Sequence, residues 1–260
     1  MLCIVRFLAL VLVIGFGALA VSGPSFAQRA QGYVLEVSGN VTGQVGTGQP
    51  AKVEKGQTLV NNATVTTAAQ SFAVLKFEDG TAILLKENTS FQVQHYTYNP
   101  KAPENANAIF NLVRGGLRMI TGLVTSRNRD ALKVATPVAT IGIRGTEFMA
   151  ELVNPLFLQV INGVITATNA AGSVAFSAGQ AGIVGNAATL GSLIPVNQVP
   201  AGVLQMPNVP LTPVPTTIPA GVPVGGGVTG GAVGMAIAVG AAAVAGVAAA
   251  AENQSSASHH

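Results

Sequence analysis

The residues with the clearest chemical potential lie in one short segment, residues 135–148. Arg144 stands between two glycines there, and Glu147 follows three positions later. A guanidinium and a carboxylate at this spacing can pair with each other or together bind a polar partner. The segment is otherwise rich in β-branched residues, which favour a strand. Arg144, Glu147 and the neighbouring Thr146 are therefore our leading candidates for an interaction site.

A strand through this segment must contain an irregularity at Gly145. Apolar residues before and after it fall on opposite parities of the two-residue strand alternation: Ile141 and Ile143, then Phe148, Ala150 and Leu152. A change of parity at a glycine is typical of a β-bulge. A bulge would place Arg144 and Glu147 on one face, where the two could form an ion pair. The alternative is a purely structural strand whose arginine holds a neighbouring loop.

The residue types needed for catalysis or metal binding are scarce. The one cysteine is Cys3, the aspartates are Asp79 and Asp130, and His95 is the one histidine outside the C-terminal tail. A nucleophilic triad or a zinc site needs several such groups together. We expect a non-enzymatic protein with no cofactor and no metal, and an uncharacterised hydrolase is the least favoured alternative.

Two further groups of side chains could bind a polymer. Tyr96 and Tyr98 share one face of a strand with Gln92 and Gln94, and this face could stack on sugar, grip a peptide or pack across strands. A basic cluster could meet an acidic partner or simply be solvated; it comprises Arg114, Arg118, Arg127, Arg129 and Lys133. The net charge is only +3 and tryptophan is absent, so we expect no nucleic-acid partner.

The N-terminus has the layout of a secretory signal peptide, residues 1–27. Arg6 precedes an apolar run, and Ser25 and Ala27 supply the small residues of a cleavage site. An uncleaved membrane anchor is the alternative. The cysteine lies inside this segment, so the remainder cannot form a disulfide. We expect an exported protein of the bacterial periplasm or envelope.

The C-terminal third divides into two uncharged segments and a polar tail, residues 252–260. Residues 191–224 are proline-rich, which favours an extended linker, and residues 225–251 are rich in glycine and alanine and long enough for a spanning helix. That helix would carry a stripe of small residues suited to close helix packing: Gly226, Gly230, Gly234, Ala238, Ala242 and Gly246. It could insert in a membrane and self-associate, pack on protein, or serve as a processing signal.

Residues 32–190 have the pattern of short strands and tight turns. The clearest strands are Val34–Val37, Ala73–Phe77, Ala82–Leu85 and Leu158–Ile161, and Asp79-Gly80 predicts a hairpin between the second and third. This predicts an all-β domain arranged as a sandwich, a roll or a β-solenoid. A weak internal repeat, in which Gly56-Gln57 corresponds to Gly179-Gln180, suggests two related halves.

The order of motifs resembles the FecR-type periplasmic domain. The resemblance spans Gly32 to Val184 and rests on Lys55–Leu59, Val65–Thr67, Phe77–Gly80, Gly115–Leu117, Val134–Phe148, Val160–Val164 and Gly179-Gln180. It implies an envelope sensing or binding module that is not an enzyme. In the sigma-factor regulators of this family, a cytoplasmic segment and a membrane span precede the domain. Here we expect a freestanding periplasmic or surface protein.

Two functions therefore compete. The leading hypothesis is that the FecR-like domain binds an envelope protein partner, by strand addition at an exposed sheet edge. The C-terminal segment would then anchor the protein or drive its self-association. The alternative is a glycan- or peptidoglycan-associated module that uses Tyr96, Tyr98 and the basic cluster.

Overall fold

Alternating apolar and polar residues produce strands along most of the structure, a computed structural model that describes residues 29–215, 217–219 and 221–225. The strands are β1 Gly32–Ser38, β2 Val41–Val45, β3 Ala51–Lys52, β4 Thr58–Leu59, β5 Ala63–Thr67, β6 Phe72–Phe77, β7 Ala82–Leu85, β8 Ser90–Thr97, β9 Asn107–Ile120, β10 Leu132–Ala135, β11 Thr140–Leu152, β12 Leu156–Asn169, β13 Gly172–Ser177, β14 Ala181–Val184 and β15 Ser192–Ile194. Short 3-10 turns occupy Pro103–Asn105, Leu123–Thr125 and Val196–Gln198. The all-β prediction is confirmed. The predicted signal peptide, small-residue stripe and polar tail lie outside the described residues.

The described strands form one open hydrogen-bonded sheet with two halves. The first half has the order β3-β2-β5-β8-β9-β10-β11-β12-β13. The second half has the order β4-β1-β6-β7-β9-β11-β12-β14-β15. The long strands β9, β11 and β12 belong to both halves and connect them.

Each long strand carries a glycine with positive φ near the point where its neighbours change. These are Gly115 in β9 (φ 80°), Gly145 in β11 (φ 63°) and Gly163 in β12 (φ 82°). Residues other than glycine rarely adopt this backbone conformation without strain. The register of β11 on β12 shifts between Arg144 and Glu147, so the bulge predicted at Gly145 is confirmed.

The hydrophobic core lies between the two halves of the sheet. Phe77 of the second half has its ring centroid 5.0 Å from those of Tyr96 and Phe110 in the first half. Phe91 in turn packs against Phe110, with ring centroids 5.3 Å apart and the rings tilted by 38°. All four rings are fully buried, which makes them a large contribution to the hydrophobic stabilisation of the fold.

The predicted internal repeat is visible at its two Gly-Gln turns. The Glu54 amide donates to Gln57 Oε1 at 2.9 Å, and the Ser177 amide donates to Gln180 Oε1 at 2.7 Å. In both turns the glycine has positive φ, and its amide donates to the carbonyl of a neighbouring strand. In both places, a glutamine side-chain oxygen accepts a backbone amide and stabilises the same kind of turn.

The proline-rich segment, predicted as an extended linker, contacts the sheet at several points. It begins with β15, and the described residues of 195–225, which we call the strap, then run back along the sheet. The Thr58 amide donates to the Val222 carbonyl at 3.0 Å, and the Val224 amide donates to the Thr58 carbonyl at 2.9 Å. Val224 is fully buried, in space left by the absent side chain of Gly43. Prolines favour extended backbone, and extended backbone can lie on a sheet as readily as it spans solvent.

Buried charged groups hold the middle of the strap. Lys76 is only 4% exposed, and its Nζ donates to the carbonyls of Gly80 and Thr212. Glu151, 5% exposed, accepts the Leu204 amide and pairs with Lys86 at 2.8 Å. Since a buried charge is costly without partners, these contacts fix the path of the strap.

Candidate interaction surface

Arg144 and Glu147 do not form the ion pair that their spacing allowed. Glu147 accepts hydrogen bonds from Nε of Arg118 at 2.8 Å and from a terminal nitrogen of the same guanidinium. β9 and β11 are neighbours here, with Glu147 opposite Ile120. Arg144 instead approaches the exposed Asp130 at 3.5 Å. The bulge lies where the sequence predicted it, but the partner of Glu147 is Arg118, on a strand about thirty positions earlier.

Thr146 is not available to a partner. The residue is 4% exposed, and its backbone amide is already engaged because it donates to Thr121 Oγ1 at 2.8 Å. Its own Oγ1 is buried and has no hydrogen-bond partner among the described residues. The methyl of Thr146 lies close to Gly163, where an added Cβ would be 2.7 Å from it. We infer that Thr146 packs the crossing of β11 and β12 and does not bind a partner.

Tyr96 belongs to a buried polar network centred on Asp79. The Tyr96 hydroxyl donates to Asp79 Oδ1 at 2.8 Å. The same carboxylate accepts the Thr81 amide and hydroxyl and, at 2.9 Å, the Val124 amide. Burial, and then the negative charge of Asp79, raise the pKa of Tyr96 far above its ordinary value. Asp79 therefore connects the hairpin turn with β8 and with the 3-10 turn at Leu123. The sequence had indicated only its place in the hairpin turn.

The proposed tyrosine platform is wrong because both tyrosines are in the core. Tyr96 is fully buried and Tyr98 is 5% exposed. A register shift between Val93 and His95 changes which residues of β8 face inward, so the two tyrosines do not share a face with Gln92. His95 is half-buried, and its Nε2 lies 3.2 Å from Thr97 Oγ1.

The basic cluster divides between paired and free groups. Arg118 is occupied by Glu147. Arg114 is exposed at the end of the Ser90–Arg114 pairing of β8 with β9, and Lys133 is exposed on β10. Arg127 and Arg129 are exposed in the loop that precedes β10. The exposed members are thus accessible to an acidic partner.

The two ends of the sheet halves differ in how they are protected. β4 ends the second half, and the strap covers it through the contact of Thr58 with Pro223. β13 ends the first half, and among the described residues it pairs with β12 alone. β13 contains neither a charged residue nor proline, the usual devices that protect an edge. The sequence contains no Asp, Glu, Lys or Arg from Leu152 to Ala251, and the topology places part of this uncharged region at an open edge.

No metal or membrane-spanning element is found in the part of the chain that the structure describes. Within it, no group of three or more histidine, cysteine, aspartate or glutamate side chains could hold a metal ion. No helix of that part is long and apolar enough to span a membrane.

Comparison with protein families identifies the domain. Residues 63–166 match the family model described as FecR protein. The chain carries a FecR domain. The match runs from β5 into β12 and includes the bulge at Gly145, so the resemblance carried by that segment is confirmed. The wider extent over residues 32–190 stays a prediction.

Comparison with solved structures gives a weaker likeness. Two crystal structures of a Parabacteroides distasonis protein, provisionally described as an anti-sigma factor, match with a TM-score of 0.39 and 14% identity. Each match covers 50% of this chain and 57% of the other, so this chain spans little more than half of that protein. A TM-score this low supports no conclusion about this chain. Among curated proteins, none matches the sequence significantly.

Proposed function

We propose that this protein is a non-enzymatic sensing or regulatory module of the bacterial envelope, whose FecR domain binds a protein partner. The observation that carries the proposal is the open edge at β13. An unprotected edge presents a row of unpaired amide and carbonyl groups, and an extended partner segment can complete it by strand addition.

The chain's own strap supports this mode of binding. At the β4 edge, Val222 and Val224 hydrogen-bond to both backbone groups of Thr58, as an added strand does. That edge is therefore occupied, whereas Ser173, Ala175 and Ser177 are exposed along β13. The Ser177 amide donates to Gln180 and not to β12, so the amides of Ala175 and Ser173 point away from β12 as well.

The test removes one outward amide from β13. Ala175→Pro deletes that amide without removing a hydrogen bond to β12, and edge strands tolerate proline at such positions. Ala175→Ser is the matched control because it keeps the amide. We expect proteins captured from envelope extract by wild type and Ala175→Ser to be lost with Ala175→Pro, while circular dichroism shows that all three are folded.

Two results would contradict the proposal. One is capture of the same proteins by Ala175→Pro. The other is loss of all captured proteins after muramidase treatment of the extract, which would show that peptidoglycan, and not a protein, connects them.

We further propose that residues 1–27 direct export and that residues 225–251 anchor or self-associate the protein. Their compositions support this. Deleting residues 226–251 leaves the strap intact and should release the protein into the soluble periplasmic fraction. The anchoring proposal fails if the full-length protein is already found there.

A further inference from the structure

The strand register brings one side chain from each of eight strands into a single row on the outer surface of the first sheet half. We call it the polar row, and its members in spatial order are Gln44, Thr64, Gln92, Asn111, Ala135, Thr140, Thr168 and Ser173. Seven of the eight are uncharged amides or hydroxyls. Adjacent strands are about 4.8 Å apart, so the row is about 34 Å long.

The polar row is accessible and internally ordered. Each member is half-buried or exposed. Asn111 Nδ2 donates to Gln92 Oε1 at 2.9 Å, and the Thr168 and Ser173 hydroxyls are 2.8 Å apart. A solvated protein face is ordinarily dominated by Lys, Arg, Glu and Asp. A row of eight outward side chains without one charged group is not explained by solubility alone.

Cations flank the polar row on both sides. Lys52, opposite Thr42, and Arg114, opposite Ser90, lie on one side of it. On the other side lie Lys133 and Arg144, both exposed, and the exposed Asp130 lies 3.5 Å from Arg144. None of the outward positions of β2, β3, β5, β8, β10 or β13 holds a carboxylate, nor do those of the parts of β9, β11 and β12 in this half.

A groove runs beside the middle of the row. Its volume is about 220 Å³, and its walls include Asn111, Val113, Ala135, Thr136 and Pro137. Ala135 is the one member of the row without a polar group, and its small size keeps the groove open. The face therefore combines hydrogen-bonding groups, a shallow groove and a positive border.

We propose that this face binds an extended acidic polysaccharide. The hydroxyl and amide groups of the polar row hydrogen-bond sugar hydroxyls along the chain, and the flanking cations bind its carboxylates. Such a polymer matches the linear shape, the polar chemistry and the charge of the face. An anionic membrane fits it less well, because peripheral binding to lipid uses large apolar side chains that insert between headgroups. This binding is separate from strand addition at β13.

The test measures binding of the purified full-length chain to polygalacturonate and to alginate, with dextran as the neutral control, by calorimetry. We expect both acidic polymers to bind with a salt-dependent affinity and dextran not to bind. Lys133→Glu/Arg144→Glu should weaken binding at least about tenfold. Lys55→Glu is the matched control, because it changes an exposed charge outside the face, and it should bind nearly as wild type does.

A second variant tests the row itself. Thr140→Val/Thr168→Val removes two exposed hydroxyls with almost no change of shape, and it should weaken binding several-fold without altering its salt dependence. Equal binding by this variant and wild type would overturn the role of the row.

Other outcomes overturn the proposal as a whole. They are equal binding of dextran, equal losses from Lys55→Glu and the double charge reversal, no binding of either acidic polymer, or tighter binding to phosphatidylglycerol vesicles than to both polymers. Loss of protein capture by Ala175→Pro is independent of all these results, so the two proposals can fail separately.

Discussion

Arg118, and not Arg144, holds Glu147. The two side chains meet across β9 and β11 on the far side of the bulge at Gly145, and each is about a fifth to a quarter exposed. The pair therefore braces the position where two long strands pass from one half of the sheet to the other. Arg144 is left exposed, with Asp130 as its neighbour.

Double-mutant cycles should separate the two arginines. We expect a coupling free energy of about 0.5–1.5 kcal/mol between Arg118 and Glu147, because charge-assisted hydrogen bonds link them in a partly buried site. The coupling between Arg144 and Glu147 should be near zero. Urea unfolding of the single and double alanine variants provides both values. A larger coupling for Arg144 would restore the pairing that the spacing allowed.

The glycines of the crossing should differ in their tolerance of a methyl group. Gly145→Ala meets open space and should cost only the left-handed backbone penalty of about 1–2 kcal/mol. Gly163→Ala would put a Cβ 2.4 Å from the Gly145 carbonyl, so we expect a loss of about 3 kcal/mol or more. Chemical denaturation of the two variants gives the comparison, and equal losses would show that the crossing is looser than described.

The strap should contribute measurably to stability. Val224→Ala removes two buried methyl groups and should lower the free energy of unfolding by about 2–3 kcal/mol. Val222→Ala is the matched control, since Val222 is 59% exposed, and its effect should stay within about 0.5 kcal/mol. If both variants unfold as wild type does, residues 195–225 behave as the linker that their composition suggested.

The Asp79–Tyr96 contact predicts a specific dependence on alkaline pH. The folded state raises the pKa of Tyr96 above its ordinary value of 10.0, so the hydroxyl stays protonated there while the unfolded chain ionises. Its contribution to stability is therefore complete below pH 10 and falls as the pH rises above it. Tyr96→Phe should be less stable than wild type by about 1–3 kcal/mol at neutral pH.

The measurement is the difference in unfolding free energy between wild type and Tyr96→Phe from pH 8 to pH 11. This difference should shrink above pH 10. Burial lowers the pKa of Lys76, and the charge of Asp79 only partly offsets this, so Lys76 makes stability rise with pH. Because Lys76 is present in both proteins, its effect does not account for a change in the difference. A difference that stays constant with pH would mean that the Tyr96 hydroxyl is not protected as described.

Local patterns in the sequence determined much of this protein. Alternation predicted the strands, Asp79-Gly80 predicted a hairpin, and the parity change predicted the bulge at Gly145, because each depends on residues within a few positions of one another. The motif order also predicted the FecR domain. Contacts between distant parts of the chain were decided by the tertiary structure alone: which arginine meets Glu147, that Tyr96 faces Asp79, and that the strap returns to Thr58. The polar row belongs to the same class, since strand order and register bring together residues from eight strands, and neither can be read from spacing along the chain.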